Sequence, residues 1–159
     1  MTPSTLLLSL GNPIVENDQL GLIAGRRAAS RFSGRPGVEA REFIGSPLDL
    51  LAECEGVRLL VLIDTVSTGD GEAGTVRLYD EAALMDHGGD FYPHGLNLPQ
   101  AIALARRLAV PLPERIFLIG IEVPRLHRFG ERPSPAMAGR LEEICLAVER
   151  AVEELLSGR

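Results

Sequence analysis

Three polar residues in this 159-residue chain have the types and placement to act together: Asp18, Asp64 and His94. Asp18 lies in a turn, Leu10-Gly11-Asn12-Pro13-Ile14 and onward to Gly21, directly behind the apolar run Leu6–Leu10. Asp64 ends the strongest apolar run, Arg58-Leu59-Leu60-Val61-Leu62-Ile63. His94 stands just ahead of a helical pattern, in Tyr92-Pro93-His94-Gly95-Leu96. Two carboxylates and an imidazole suit a borderline divalent cation with open coordination positions, because nitrogen and oxygen donors combine with charge neutralisation. The same set could serve as an acid/base pair of carboxylates with a histidine. Each residue also has an ordinary structural use: Asp18 as a helix N-cap, Asp64 as an acceptor for a loop amide, His94 as a loop residue.

The turn that carries Asp18 contains glycine, as phosphate-binding turns do, but lacks the GxGxxG pattern and any lysine, and it carries Glu16 and Asp18. An anion is repelled there, so a cation or a proton transfer at a carboxylate is the expected chemistry. Gly11 allows unusual backbone angles, and Pro13 fixes its own φ while pushing Asn12 out of the helical region. Lesser candidates are Glu16 at the cleft rim and Glu122, which follows an apolar strand and is expected to support the site from behind. Asp70 sits in a glycine-rich turn that needs no function. No G-x-S-x-G elbow, HExxH or Cys-His pairing is present, which leaves serine, cysteine and zincin hydrolases unsupported.

The elements that must position these residues follow from periodicity. Strand-like runs occur at 5–10, 38–43, 58–63, 75–79 and 115–121. Helix-like segments occur at 18–32, 47–54, 97–108 and 135–156, with Ser46 and Asn97 or His94 at their starts. Alternation of the two types predicts a three-layer α/β/α sandwich on a mixed, mostly parallel five-stranded sheet. The 75–79 strand is the antiparallel exception, since only a glycine-rich loop precedes it. In open sheets of this kind, ligands bind beyond the carboxyl ends of the strands, where Asp18 and Asp64 fall. Segments 85–93 and 125–135 read as the loosest regions.

The length favours one domain over 1–159, with roughly two-thirds of the unfolded surface buried. Apolar content of 45% and charged content of 24% are ordinary for a globular protein. A net charge of -6 and 4% aromatic residues without Trp argue against nucleic acid as a partner. No apolar run reaches the ~20 residues of a membrane span, and no basic leader precedes an apolar stretch, so a cytoplasmic protein with no membrane partner is expected. Cys54 and Cys145 are isolated and read as packed thiols, and the basic pairs Arg26-Arg27 and Arg106-Arg107 as solvated helix faces. A monomer is the default, since the sandwich leaves no long apolar stripe uncovered.

In order along the chain, these residues resemble the hydrogenase maturation peptidases, which remove the C-terminal extension from the large subunit of nickel-iron hydrogenases. Leu10-Gly11-Asn12-Pro13 with Asp18 and Gly21 is similar to the family's opening loop. Ile63-Asp64-Thr65-Val66 followed by Gly74-Thr75-Val76 resembles its second signature, His94 with Leu98 its third, and Leu118-Ile119-Gly120-Ile121-Glu122 its closing strand. The resemblance implies an endopeptidase of aspartic-type grouping. Asp18, Asp64 and His94 would contact nickel that arrives in the large-subunit precursor, Asp18 or Asp64 would be the base, and no permanently bound organic cofactor would be needed. Two departures stand out: Asn17 occupies the first of a usual pair of acids, and Ile44-Gly45-Ser46 replaces a Gly-Gly-Thr turn. They support an alternative, a non-cleaving nickel checkpoint or assembly factor on the same fold. A flavodoxin-like small-molecule domain is a third reading, carried by the strand and helix pattern alone.

Overall fold

The computed structural model of the protein describes residues 2–87, 97–125 and 128–158. His94 and His127 lie outside the described residues. Five strands form one sheet: β1 (Thr5–Leu10), β2 (Val38–Phe43), β3 (Leu59–Val66), β4 (Val76–Tyr79) and β5 (Arg115–Glu122). Their order is β2-β1-β3-β5-β4, with β2, β1, β3 and β5 parallel and β4 antiparallel against β5. Every residue of β3 is buried, as expected of a central strand covered on both faces.

Among the described residues, six helices cover the sheet: α1 (Leu20–Phe32), α2 (Pro47–Ala52), α3 (Glu81–His87), α4 (Leu98–Arg107), α5 (Pro135–Ala138) and α6 (Leu141–Leu156). The period-2 alternation of the strands divides the core into two layers. Leu6, Leu8, Leu60, Leu62 and Leu118 pack against Leu50 of α2, Leu84 of α3 and Ile102 of α4. Leu7, Val61, Ile63, Ile119 and Ile121 pack against Ala24 and Phe32 of α1 and Ile144, Val148 and Val152 of α6. Phe32 is fully buried, which contributes about 1.5–3 kcal/mol at the usual value for a large apolar side chain. The three-layer α/β/α arrangement is the one the alternating pattern predicts.

Helix starts follow local chemistry. The Ser46 hydroxyl accepts the Asp49 amide at 3.2 Å, with Pro47 in the first helical position. Asn97 and Gln100 form a reciprocal capping box at α4. Several boundaries differ from the sequence reading. The helix expected from Asp18 starts at Leu20, and its flanking Gln19 makes no side-chain cap. The strand expected to end at Ile63 runs on to Val66, because β5 continues beside it through Asp64↔Gly120, Thr65↔Ile121 and Val66↔Glu122. The helix expected over 135–156 is two, separated at Gly139-Arg140. Residues 85–87, expected to be loose, belong to α3, whose start is capped by Asp80 accepting the Ala83 amide at 2.9 Å.

The basic pairs also do more than meet solvent. Arg26 pairs with Glu42 of β2, and Arg106 with Glu81 of α3. Arg27 reaches Glu142 at 2.6 Å and Glu149 at 3.5 Å, and Arg31 reaches Glu149 at 3.2 Å, tying α1 to α6. Both cysteines are buried and unpaired in disulfides. Burial pushes the Cys54 thiol up to about 11 and raises that of Cys145, which keeps both protonated at neutral pH.

Candidate functional site

β1 and β3 are adjacent, yet the chain leaves β1 toward β2 on one side and leaves β3 for elements on the other. This divergence is a topological switch point, where loops separate and open a crevice at the carboxyl ends of the strands. β1 stops at Leu10 while β3 continues to Val66, so the last residues of β3 project past their neighbour. The loop following β1 folds into that space.

Two glycines permit the approach. A Cβ on Gly11 would lie 2.4 Å from the Asp18 carbonyl oxygen, and one on Gly21 would lie 2.3 Å from the Leu10 carbonyl oxygen and 3.1 Å from Asp64 Cα. Both distances are below any real Cβ contact, so only glycine lets the loop and the first turn of α1 press against the ends of β1 and β3. The sequence analysis singled out both positions; what it could not supply is that their partners are Asp18 and Asp64 themselves.

Asp18 is half-buried and does not cap α1. Its Oδ1 accepts the hydroxyl of Thr65 at 2.8 Å. Asp64 is buried, and its Oδ1 accepts the backbone amide of the same Thr65 at 2.7 Å. Strand alternation puts Thr65 on the α1 face with Val61 and Ile63, and Asp64 on the opposite face with Leu62 and Val66. The two carboxylates therefore straddle the carboxyl edge of the sheet, joined by one residue. Asp18 and Asp64 each accept a hydrogen bond from Thr65, and Asp64 lies two residues inside β3 instead of ending it. No cluster of three or more His, Cys, Asp or Glu in ligating geometry occurs among the described residues. Thr65 is the participant that sequence reasoning missed: threonine after aspartate in a strand reads as a strand former.

Around this pair the acid loop is fastened to a distant segment. The Asn17 side-chain oxygen accepts the Ser134 amide at 2.9 Å, the Glu16 amide donates to the Arg128 carbonyl at 2.8 Å, and Gly130 donates to Ile14 at 2.9 Å. Val15 and Phe129 form an antiparallel bridge. The Gln19 side chain donates to the carbonyls of Glu16 at 2.8 Å and Gly130 at 3.4 Å. Residues 128–134, expected to be loose, thus brace the loop that carries Asp18.

Glu122 has a different role from the one expected. It is buried at the end of β5, and its carboxylate accepts the Thr68 hydroxyl at 2.7 Å and the Gly69 amide at 3.0 Å. Its backbone accepts the Gly74 amide at 2.7 Å and donates to Thr75 at 2.9 Å. Glu122 holds the glycine-rich loop after β3 rather than the Asp18 and Asp64 pair. Asp70 serves the same turn, its amide donating to Thr68 Oγ1 at 3.0 Å. A cleft of ≈ 220 Å³ lies against this loop, lined by Ser67, Gly69, Glu122 and Arg125 among others. Tyr79 packs its ring over Gly120, beside His87 at a ring separation of 5.5 Å, and burial raises its hydroxyl above the ordinary value.

The arrangement presents one carboxylate from the loop and one from the strand, each accepting a hydrogen bond from Thr65. No helix among the described residues is long and apolar enough to cross a membrane.

No protein-family model matches the sequence, and no curated protein does. Solved structures do match. The hydrogenase maturating endopeptidase HybD from E. coli superposes with a TM-score of 0.72 at 18% identity, over 94% of this chain and 92% of that one. The [NiFe] hydrogenase maturation protease HybD from Thermococcus kodakarensis gives 0.63 at 22% identity, over 92% and 97%. The hydrogenase 2 maturation peptidase from a Thaumarchaeota archaeon gives 0.59 at 20% identity, over 96% and 97%. At these identities the likeness establishes a shared fold over nearly the full length of both chains.

Proposed function

We propose that this chain is an endopeptidase that removes the C-terminal extension of a nickel-loaded hydrogenase large-subunit precursor. The observation that carries the reading is the joining of Asp18 and Asp64 through Thr65 at the switch point, on a fold shared with hydrogenase maturation peptidases. Asp18 does not cap α1; its carboxylate turns to Thr65 at the end of β3 instead. Nickel is cargo of the substrate: Asp18, Asp64 and His94 contact it, and the bound metal places the scissile peptide within reach of the carboxylates. Asp18 or Asp64 accepts a proton from the attacking water as its oxygen bonds to the carbonyl carbon. The C–N bond then breaks, and the leaving nitrogen takes up the proton. Positioning by the metal and proton transfer by a carboxylate divide the work, which is aspartic-type chemistry without a resident cofactor. The protein acts as a monomer in the cytoplasm.

The second reading is a nickel checkpoint that binds the loaded precursor without cutting it. Asn17 favours it, since that position carries no charge and its side chain is engaged with Ser134. Incubation with nickel-loaded and nickel-free precursor, followed by intact mass measurement, separates the two. The expected result is loss of the tail from the loaded precursor alone, abolished in Asp18→Ala, Asp64→Ala and His94→Ala with folding retained. A tail retained under every condition that loads nickel refutes the peptidase reading, and full activity in any variant removes that residue from the set.

A further inference from the structure

We infer that Thr65 is a positioning residue that sets the two nickel-contacting carboxylates in register, through two different groups of one residue. This rests on the reading of Asp18 and Asp64 as the pair that meets the substrate's nickel. The Thr65 hydroxyl donates to Asp18 Oδ1 at 2.8 Å, and its backbone amide donates to Asp64 Oδ1 at 2.7 Å. Both acceptors are carboxylate oxygens, so each hydrogen bond is charge-assisted and the stronger for it. Thr65 is itself buried and fixed in β3 by pairing with Ile121, which makes it a rigid reference for both side chains.

The two arms differ in what they correct. Asp64 stands in the same strand as Thr65, and its carboxylate is anchored to the adjacent amide whatever side chain follows. Asp18 stands in a loop 47 residues away, where no helix cap or strand pairing fixes its rotamer. The hydroxyl of Thr65 is what orients the Asp18 carboxylate relative to the strand end. A carboxylate offers about four acceptor sites, so accepting one bond from Thr65 leaves capacity for a cation or a proton. Partners that orient ligands in this way typically govern 10- to 100-fold of metal affinity.

Thr65→Val keeps the β-branched shape, the strand backbone and the amide arm, and deletes only the hydroxyl. Thr65→Ser keeps the hydroxyl and deletes a methyl. Affinity for nickel-loaded against nickel-free precursor is measured by surface plasmon resonance for the wild type and both variants, alongside the processing rate and the melting midpoint. Thr65→Val is expected to lose 10- to 100-fold of the preference for the loaded precursor. Thr65→Ser should stay within about threefold of wild type, both with melting midpoints near wild type. Equal preference in Thr65→Val and wild type overturns the inference. So does an equal loss in both variants, which would mark the methyl rather than the hydroxyl as the essential group. A wild-type protein that neither prefers the loaded precursor nor cuts it overturns instead the parent reading of the function.

Discussion

Replacing Gly21 by Ala tests whether the close approach of α1 to the strand ends is what builds the site. The new Cβ would sit 2.3 Å from the Leu10 carbonyl oxygen, 3.1 Å from Asp64 Cα and 3.2 Å from the Ile63 carbonyl oxygen. All three neighbours are backbone atoms of β1 and β3, held by ladder hydrogen bonds on both sides of β3, so the helix must yield. Reaching ordinary contact at 3.4 Å from the Leu10 oxygen requires the first turn of α1 to retreat by about 1 Å. Overpacking of this kind costs about 1–3 kcal/mol, against which alanine returns at most ~1 kcal/mol of helix propensity. For a chain of this length the melting midpoint should fall by up to roughly 12 °C.

The consequence for the site is larger than the consequence for stability. Asp18 lies two residues before α1 and moves with it, so a retreat of that size breaks the 2.8 Å contact with Thr65. Misplacement of a positioned group by ~1 Å costs about 100-fold in rate. Precursor processing followed by mass spectrometry, with melting in parallel, should show a loss near that factor in Gly21→Ala. Gly34→Ala, with nothing within 4 Å of the added Cβ, should match wild type in both assays. Gly21→Ala processing at the wild-type rate would refute the claim that this contact positions Asp18.

Two further outcomes follow from the elements around the site. Asn97→Ala removes the half of the α4 capping box in which Asn97 Oδ1 accepts the Gln100 amide and leaves the Asn97 amide donating to Gln100, and urea denaturation should show a loss of about 1 kcal/mol; an unchanged midpoint would show that the side-chain cap is energetically idle. The Arg27 guanidinium hydrogen-bonded to Glu142 holds that carboxyl below its ordinary value of 4.5, so its contribution to stability is present above that value and is lost as pH falls through the lowered one. Glu142 is exposed and the effect is small. Melting between pH 7 and 3 should decline less in Glu142→Gln than in wild type, and parallel curves would contradict the assignment.

Most of the scaffold was legible because its signals are local. The Leu6–Leu10 run with its Gly-Asn-Pro turn, the Ser46-Pro47 start and the Asn97 cap each depend on neighbouring residues, and the strands at 5–10 and 38–43 fall where they were expected. α3 escaped because seven residues with one fully buried side chain, Leu84, carry too little periodicity. The break between α5 and α6 escaped because the apolar stripe continues across it; at the break Arg140 donates to the distant Ala73 carbonyl and to the nearby Glu143. The placement of Asp18 in the loop after β1 and of Asp64 near the end of β3 was legible from strand ends and topology, whereas the hydrogen bonds that both accept from Thr65 were not. A hydroxyl that donates across 47 positions leaves no trace in spacing.

The same distinction bears on the residue that departs most visibly from the pattern the sequence otherwise resembles. Asn17 sits beside Asp18, where a second acid is expected, and its side chain accepts a hydrogen bond from Ser134, 117 positions away. An aspartate could accept that bond equally well, so the hydrogen bond alone does not select the amide; what the amide changes is charge. Glu16 lies alongside Gly130, with its amide held by Arg128, so the flanking segment is committed to bracing the loop. With Asn17 neutral and turned to the same brace, the carboxylate that this loop directs to β3 is that of Asp18. One carboxylate from the loop and one from the strand then meet across Thr65. Two charges with separate anchors suit a single divalent ion better than three would, since each added acid must be offset when the site is empty. On the proposed function, the cost of losing Asp18 here should therefore be greater than in a loop with a second acid to substitute for it.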